Sequence, residues 1–181
     1  MNTNTRENFQ RLIAALKALP AIPTAVAHPC DESSLAGAID PAKLGIIVPI
    51  LVGLQKRILA AASAAEIDVN PYEIVDVEHS HAAAEKAVAL VREGRAEMLM
   101  KGSLSTDELL GAVVRRETGL RTERRLSHCF ILDVPNHPKP LIITDAAINI
   151  FPTLEEKSVG DSHERGIDDR APHARARRQL K

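Results

Sequence analysis

The residues best placed to do chemistry lie in one short run, Lys101-Gly102-Ser103-Leu104-Ser105-Thr106-Asp107-Glu108. Ser105 followed three residues later by Glu108 is a capping box, which marks a helix beginning at Thr106. Gly102 lets another backbone approach closely. Lys101 puts a point charge beside the helix start. Free amide N–H groups, the positive end of a helix dipole and an ammonium together suit a phosphate or another anion. The same residues also read as an ordinary capped helix with a solvated lysine, and spacing alone leaves both readings open.

A second feature is the run from Arg115 to Arg125, with arginines at 115, 116, 121, 124 and 125. Guanidinium forks grip phosphate oxygens in pairs. The alternative is a solvated helix end in which Glu117 and Glu123 are the partners. His79 and His81, with His28 and Cys30, hold ligand types for a metal, but the spacing fixes no set of three or four, so no metal is expected. His128 beside Cys129 falls in an apolar strand, where neighbours face opposite ways, and reads as a structural His beside a buried Cys. The chain has no Walker loop, no G-x-G-x-x-G and no G-x-S-x-G.

The surrounding pattern predicts how these residues are held. An amphipathic helix is expected over 5–19, with Phe9, Leu12, Ile13, Leu16 and Leu19 on one stripe. Strands are expected at 24–27, 45–52, 72–77 and 97–100, and helices at 32–39, 54–65, 80–92 and 106–116. This alternation with short connections predicts a mostly parallel sheet with helices on both faces. Pro49 lies within the second strand and predicts a bend or interruption there. Ligands of such sheets bind beyond the carboxyl ends of the strands. The segments there are His28 to Ser34, Gly53, Glu78 to His81, and Lys101 to Thr106.

Two further strands, 127–133 and 140–144, flank a turn at 134–139 and read as a hairpin leading into a second lobe. The expected organisation is a first α/β domain over 1–133, the start of a second over 134–157, and a disordered tail over 158–181.

Composition narrows the function classes. Of 181 residues, 45% are hydrophobic and 26% charged, a globular mix. Only 2% are aromatic, so a stacking surface for single-stranded nucleic acid is not expected. The net charge of −1 gives no general attraction to nucleic acid or an anionic membrane. Cys30 and Cys129 are the only cysteines, too few and too far apart for a disulfide framework. The polar start carries no targeting pattern, and a cytoplasmic location is expected.

Several of these stretches resemble the phosphate acetyl/butyryltransferases. The resemblance is carried by Val26-Ala-His-Pro-Cys-Asp-Glu-Ser-Ser-Leu35, Gly45-Ile-Ile-Val-Pro-Ile-Leu-Val-Gly53 and Met100-Lys-Gly-Ser-Leu104. Gly119-Leu-Arg-Thr122, Arg125-Leu-Ser-His128 and Ile143-Thr-Asp-Ala-Ala-Ile-Asn-Ile150 add to it. It covers about residues 8–157 and looks like the amino-terminal half of that family. The resemblance implies an isocitrate/isopropylmalate-dehydrogenase-like fold of two α/β domains around a cleft, and a homodimer for full-length members. It implies transfer of an acetyl or butyryl group between coenzyme A and inorganic phosphate, with coenzyme A a substrate and no bound cofactor. The substrates would be acyl-CoA or acyl phosphate and inorganic phosphate. The residues it suggests for substrate binding are Asp31, Ser33, Lys101, Gly102, Ser103, Thr106, Arg121, Arg125 and Ser127.

Ser105 stands where similar members usually carry a His. The family pattern continues past Lys157, whereas Ser158 to Lys181 resembles out-of-frame reading of a GC-rich gene. The expectation is therefore a truncated and impaired chain with no catalytic base assigned. The alternatives are a remnant that binds phosphate or coenzyme A without turnover, and another enzyme of the same superfold.

Overall fold

The computed structural model describes residues 7–122, 126–134, 137 and 139–144. The elements alternate as the pattern predicts. Helix α1 (Glu7–Lys17) precedes β1 (Ile22–Ala27), α2 (Glu32–Lys43), β2 (Ile47–Gly53), α3 (Gln55–Ala64) and β3 (Glu73–Asp76). Then come α4 (Ser80–Arg92), β4 (Met98–Lys101) and α5 (Thr106–Val113). Strands β5 (Cys129–Leu132) and β6 (Leu141–Thr144) follow. Residues 5–6 of the expected first helix, Arg124 and Arg125, the segment 145–157 and the tail 158–181 lie outside the described residues.

The chain divides into two compact units. Glu7–Arg124 carries a four-stranded sheet, and β5 and β6 belong to the other unit. In the first unit all strands are parallel, in the order β3-β2-β1-β4. Helices α2 and α3 cover one face. There Leu35, Ile39, Ile58, Ala61 and Ala62 pack on Val26 and Leu51. Helices α4 and α5 cover the other. There Ala83, Ala84, Ala87, Val88 and Leu109 pack on Ala25, Ala27, Ile50 and Val52. Burial on both sides explains why β1 and β2 are near-continuous apolar runs rather than alternating ones. The row of alanines on α4 brings that helix close to the sheet without aromatic bulk.

Strand β2 is not interrupted at Pro49. It runs continuously and pairs with β1 through Pro49, which is registered on Thr24. The hydrogen bonds give the reason. The carbonyls of Ile46 and Val52 accept from β1-side amides of Ile22 and His28, whereas the Gly53 carbonyl accepts from Val77 beyond β3. Residues of a strand point their N–H and C=O alternately to either edge, so Pro49 faces the β3 side. Pairing with β3 begins only at Ile50, so the missing donor of Pro49 has no ladder partner to deprive.

Two helix ends differ from expectation by about a turn, and α1 and α3 by a residue or two. Helix α2 continues past Ile39 and holds Pro41 in its last turn, close enough to its end that few backbone bonds are lost. Helix α5 stops at Val113 rather than 116. Gly94 ends α4 as predicted. At φ 73° it takes the left-handed conformation, with Gly94 N–H donating to Val91 O and Arg95 N–H to Leu90 O.

In the second unit β5 and β6 pair antiparallel, with Phe130 opposite Ile143 and Ile131 opposite Ile142. Cys129 is exposed, which corrects the expectation of a buried thiol, and His128 precedes the strand rather than lying in it. A two-stranded ribbon covers neither of its own faces, so apolar sequence there does not imply burial.

Candidate functional site

The strand order reverses direction at β1. Strand β2 lies on one side of it and β4 on the other, and the chain leaves β1 for α2 on one face and β4 for α5 on the opposite face. Such a switch point opens a crevice at the carboxyl ends of the two strands. It is lined here by His28 to Asp31 and by Lys101 to Thr106.

The two loops are tied together at this point. Gly102 N–H donates to Ala27 O at 2.8 Å, and Ser103 N–H to His28 O at 2.8 Å. The Ser103 hydroxyl donates to His28 O at 2.8 Å, and Cys30 N–H reaches Ser103 Oγ at 3.2 Å. His28 itself has φ 57°, a left-handed conformation that side chains with a Cβ rarely adopt. A Cβ on Gly102 would lie 2.5 Å from both the Ala27 and His28 oxygens, so only glycine fits. Beneath this knot the buried His28 Nδ1 and Cys30 Sγ are 3.4 Å apart. Burial pushes the His28 imidazole below its ordinary value, aided by Arg57, and pushes the Cys30 thiol up. Both are therefore neutral at neutral pH, so the pair is not a thiolate–imidazolium nucleophile.

Asp31 caps α2, with its carboxylate accepting from Ser34 N–H at 2.7 Å. That bond, with the neighbouring hydroxyls of Ser34 and Ser103 and the Ser33 amide, holds its carboxyl below the usual range. Ser33 is exposed in the first turn of α2 and Thr106 is exposed at the first residue of α5.

The capping box at α5 forms as predicted. Ser105 Oγ accepts from Glu108 N–H at 3.1 Å, and Glu108 Oε2 accepts from Ser105 N–H at 2.9 Å. Glu108 also does something its spacing did not announce. Its Oε1 accepts from Ser80 Oγ at 2.7 Å and lies 2.9 Å from His81 Nδ1, which joins the amino terminus of α5 to that of α4. Ser80 and the Ser105 backbone lower its pKa most, to about 2. Lys101 donates to Leu104 O at 2.7 Å and to Gly102 O at 3.2 Å, so its ammonium is tied to its own loop rather than simply solvated.

His79 caps α4 by accepting Ala82 N–H on Nδ1 at 3.1 Å. The structure thus gives the Nδ1 atoms of both His79 and His81 a protein partner. Among the described residues no group of three or more His, Cys, Asp or Glu side chains is arranged for a metal. Asp76, at the carboxyl end of β3, caps α3 through Gln55 N–H at 2.7 Å. Its place in a strand is as the sequence pattern predicts, whereas the cap is not announced by that pattern.

Of the arginine run, Arg115 pairs with Glu85 at 2.6 Å. Arg116 and Arg121 are exposed, and Arg125 lies outside the described residues. Ser127 is exposed in the second unit. The switch point thus brings together Asp31, Ser33, Lys101, Gly102, Ser103 and Thr106 from two loops. Arg121 lies further along the same unit, beyond α5. No helix of the described residues is long and apolar enough to cross a membrane.

A doubly wound α/β unit with a crevice at its switch point defines a broad class of ligand-binding proteins, and sequence comparison narrows it. Residues 81–159 match the family described as Phosphate acetyl/butaryl transferase. The chain is 60% identical over 149 residues to a phosphate acetyltransferase of Rhizobium meliloti, covering 82% of this chain and 47% of the relative. It is 36% identical over 168 residues to a phosphate butyryltransferase of Clostridium beijerinckii, covering 90% of this chain and 56% of that one. A solved phosphotransacetylase from Streptococcus pyogenes shares the fold, with TM-score 0.66 at 18% identity over 81% of this chain and 54% of that one. Over most of its length the chain is thus similar to phosphate acetyl/butyryltransferases. It spans about half the length of the curated relatives it matches.

Proposed function

We propose that this chain supplies the first α/β unit of a phosphate acyltransferase, which exchanges an acetyl or butyryl group between coenzyme A and inorganic phosphate. In that reaction a phosphate oxygen attacks the thioester carbonyl, a C–O bond forms, and the C–S bond breaks to release the coenzyme A thiolate, which takes up a proton. Donors near the carbonyl oxygen would hold the charge of the tetrahedral intermediate. No described residue is assigned as the base.

The observation that carries this reading is the 60% identity to the Rhizobium meliloti enzyme over a stretch covering 47% of its length. On this reading Asp31, Ser33, Gly102, Ser103 and Thr106 edge the substrate crevice, with Lys101 bracing the loop. Arg121, Arg125 and Ser127 provide anion contacts. The unit that holds β5 and β6 begins a second domain, which continues through residues 134–157. Full-length relatives would pair as homodimers in the cytoplasm.

Orientation and dehydration of bound acyl-CoA need both walls of a cleft, so weak or no turnover is expected when these residues, which span about half the relatives' length, are tested by themselves. The test is formation of CoA thioester from CoA and acetyl or butyryl phosphate, beside an active full-length relative. Turnover at a rate near the relative's would overturn the expected impairment. Saturable CoA binding without product would leave a binding unit, and failure to bind CoA or phosphate at all would remove the reading.

A further inference from the structure

The Ser103 hydroxyl occupies an unusual position. It belongs to the β4–α5 loop, yet its two bonds are to opposite ends of the Pro29 turn in the β1–α2 loop. It donates to His28 O at 2.8 Å and accepts from Cys30 N–H at 3.2 Å. The Cys30 amide has one alternative, His28 O at 2.9 Å. That bond closes a three-residue turn around Pro29, whose ring fixes a φ suited to such a turn at a strand end. The Ser103 oxygen adds a second acceptor that holds the turn from outside. Its hydroxyl can also bond the Asp31 carboxylate, which follows the turn directly. A hydroxyl has one proton, so it serves His28 O or Asp31 but not both at once. His28 O already takes the Ser103 and Cys30 amides, so it keeps two donors when the hydroxyl turns away.

We propose that Ser103 is a positioning residue, whose hydroxyl clasps the β1–α2 loop to the β4–α5 loop and so sets the place and hydrogen bonding of Asp31 at the crevice edge. This assignment goes beyond a direct substrate contact. Ser103 acts through His28, Cys30 and Asp31 rather than on the ligand. Its relevance to catalysis rests on the proposed acyltransferase reading, but the clasp itself does not.

The experiment compares the full chain with its Ser103→Ala, Ser103→Cys and Ser103→Thr variants. Amide hydrogen exchange is followed by NMR, the Asp31 carboxyl is titrated through its carbon resonance, and CoA affinity is measured by calorimetry. Ser103→Ala is expected to speed exchange of the Cys30 amide severalfold, up to about tenfold, the scale of one lost hydrogen bond. The His28 amide, held by Val52 O, and the Gly102 amide, held by Ala27 O, should stay protected. The Asp31 midpoint should rise, and Ser103→Thr should restore both readings.

Unchanged exchange at Cys30, or equal loosening of all three amides, would overturn the clasp. So would loss of folding in both the Ala and Cys variants, because it would make Ser103 a general folding determinant. If the parent chain fails to bind CoA, the acyltransferase reading fails while exchange and titration still judge the clasp. If it binds, Ser103→Ala should weaken CoA severalfold and Ser103→Thr should recover it.

Discussion

The backbone of Gly102 lies so close to His28 that a Cβ on it would sit 2.5 Å from the His28 carbonyl oxygen. The atoms in the way are backbone oxygens of the central strand and its exit turn, which cannot swing aside as a flexible side chain can. Gly102→Ala must therefore push β4 away from β1 or unseat the left-handed His28. Forcing extra atoms into a close-packed place costs about 1–3 kcal/mol, occasionally more. Urea unfolding followed by circular dichroism should show a loss of that size. A loss under about 0.5 kcal/mol, the scale of an ordinary surface change, would contradict the tight contact.

Glu108 links α4 to α5, and its folded pKa of about 2 lies below its ordinary 4.5. A carboxyl whose folded value is depressed contributes stability that is fully present above its unfolded value and lost as pH falls through the folded one. The window is therefore pH 4.5 down to about 2. Glu108→Gln should be less stable than the parent above pH 4.5, and the gap should close on acidification. Urea midpoints of both chains across that range are the measurement. Parallel curves would show that the charge on Glu108 does not carry the link.

Much of this fold was legible because its signals are local. The capping box at Ser105, the stop at Gly94 and the apolar runs of β1 and β2 each declare themselves within a few residues. Pro49 misled because its effect depends on which edge of β2 it faces and where β3 begins, neither of which a single strand reveals. The candidate site was legible as two loops at strand ends, but not as a joined structure. Ser103 and His28 are 75 residues apart, and only the strand order places one beside the other. Glu108 read as half of a capping box and gave no sign of reaching Ser80. Cys129 read as buried because an apolar strand is usually covered, and β5 with β6 alone covers nothing.

That ribbon leads to a third prediction. Ile131 is 57% exposed and its partner Ile142 49%, and the two stand directly opposite each other on one face. Phe130 and Ile143, on the other face, are also exposed. Contiguous apolar surface of this kind favours association. Sedimentation velocity should show the average mass of the chain rising with concentration. Ile131→Lys with Ile142→Glu, which replaces the pair by opposite charges across the strands, should lower that rise without loss of the four-stranded sheet. A chain that stays strictly monomeric at all concentrations would contradict the prediction.

The two cysteines should differ sharply toward a thiol reagent such as a disulfide-exchange dye. Only thiolate reacts, and only where the reagent can reach it. Cys30 is 5% exposed, sits against His28 Nδ1 and has its thiol pushed up by burial, so its thiolate is scarce as well as covered. Cys129 is exposed on β5. The native chain should therefore release one equivalent quickly at neutral pH, and a second only as it unfolds in urea. Cys129→Ser should abolish the fast phase. Fast labelling that survives this substitution would mean that Cys30 is reachable and ionised, which the neutral His28–Cys30 pair does not allow. The slow phase then becomes a gauge of the crevice itself. Gly102→Ala, which must disturb the turn above Cys30, should speed that phase in the Cys129→Ser background at urea concentrations below the unfolding transition.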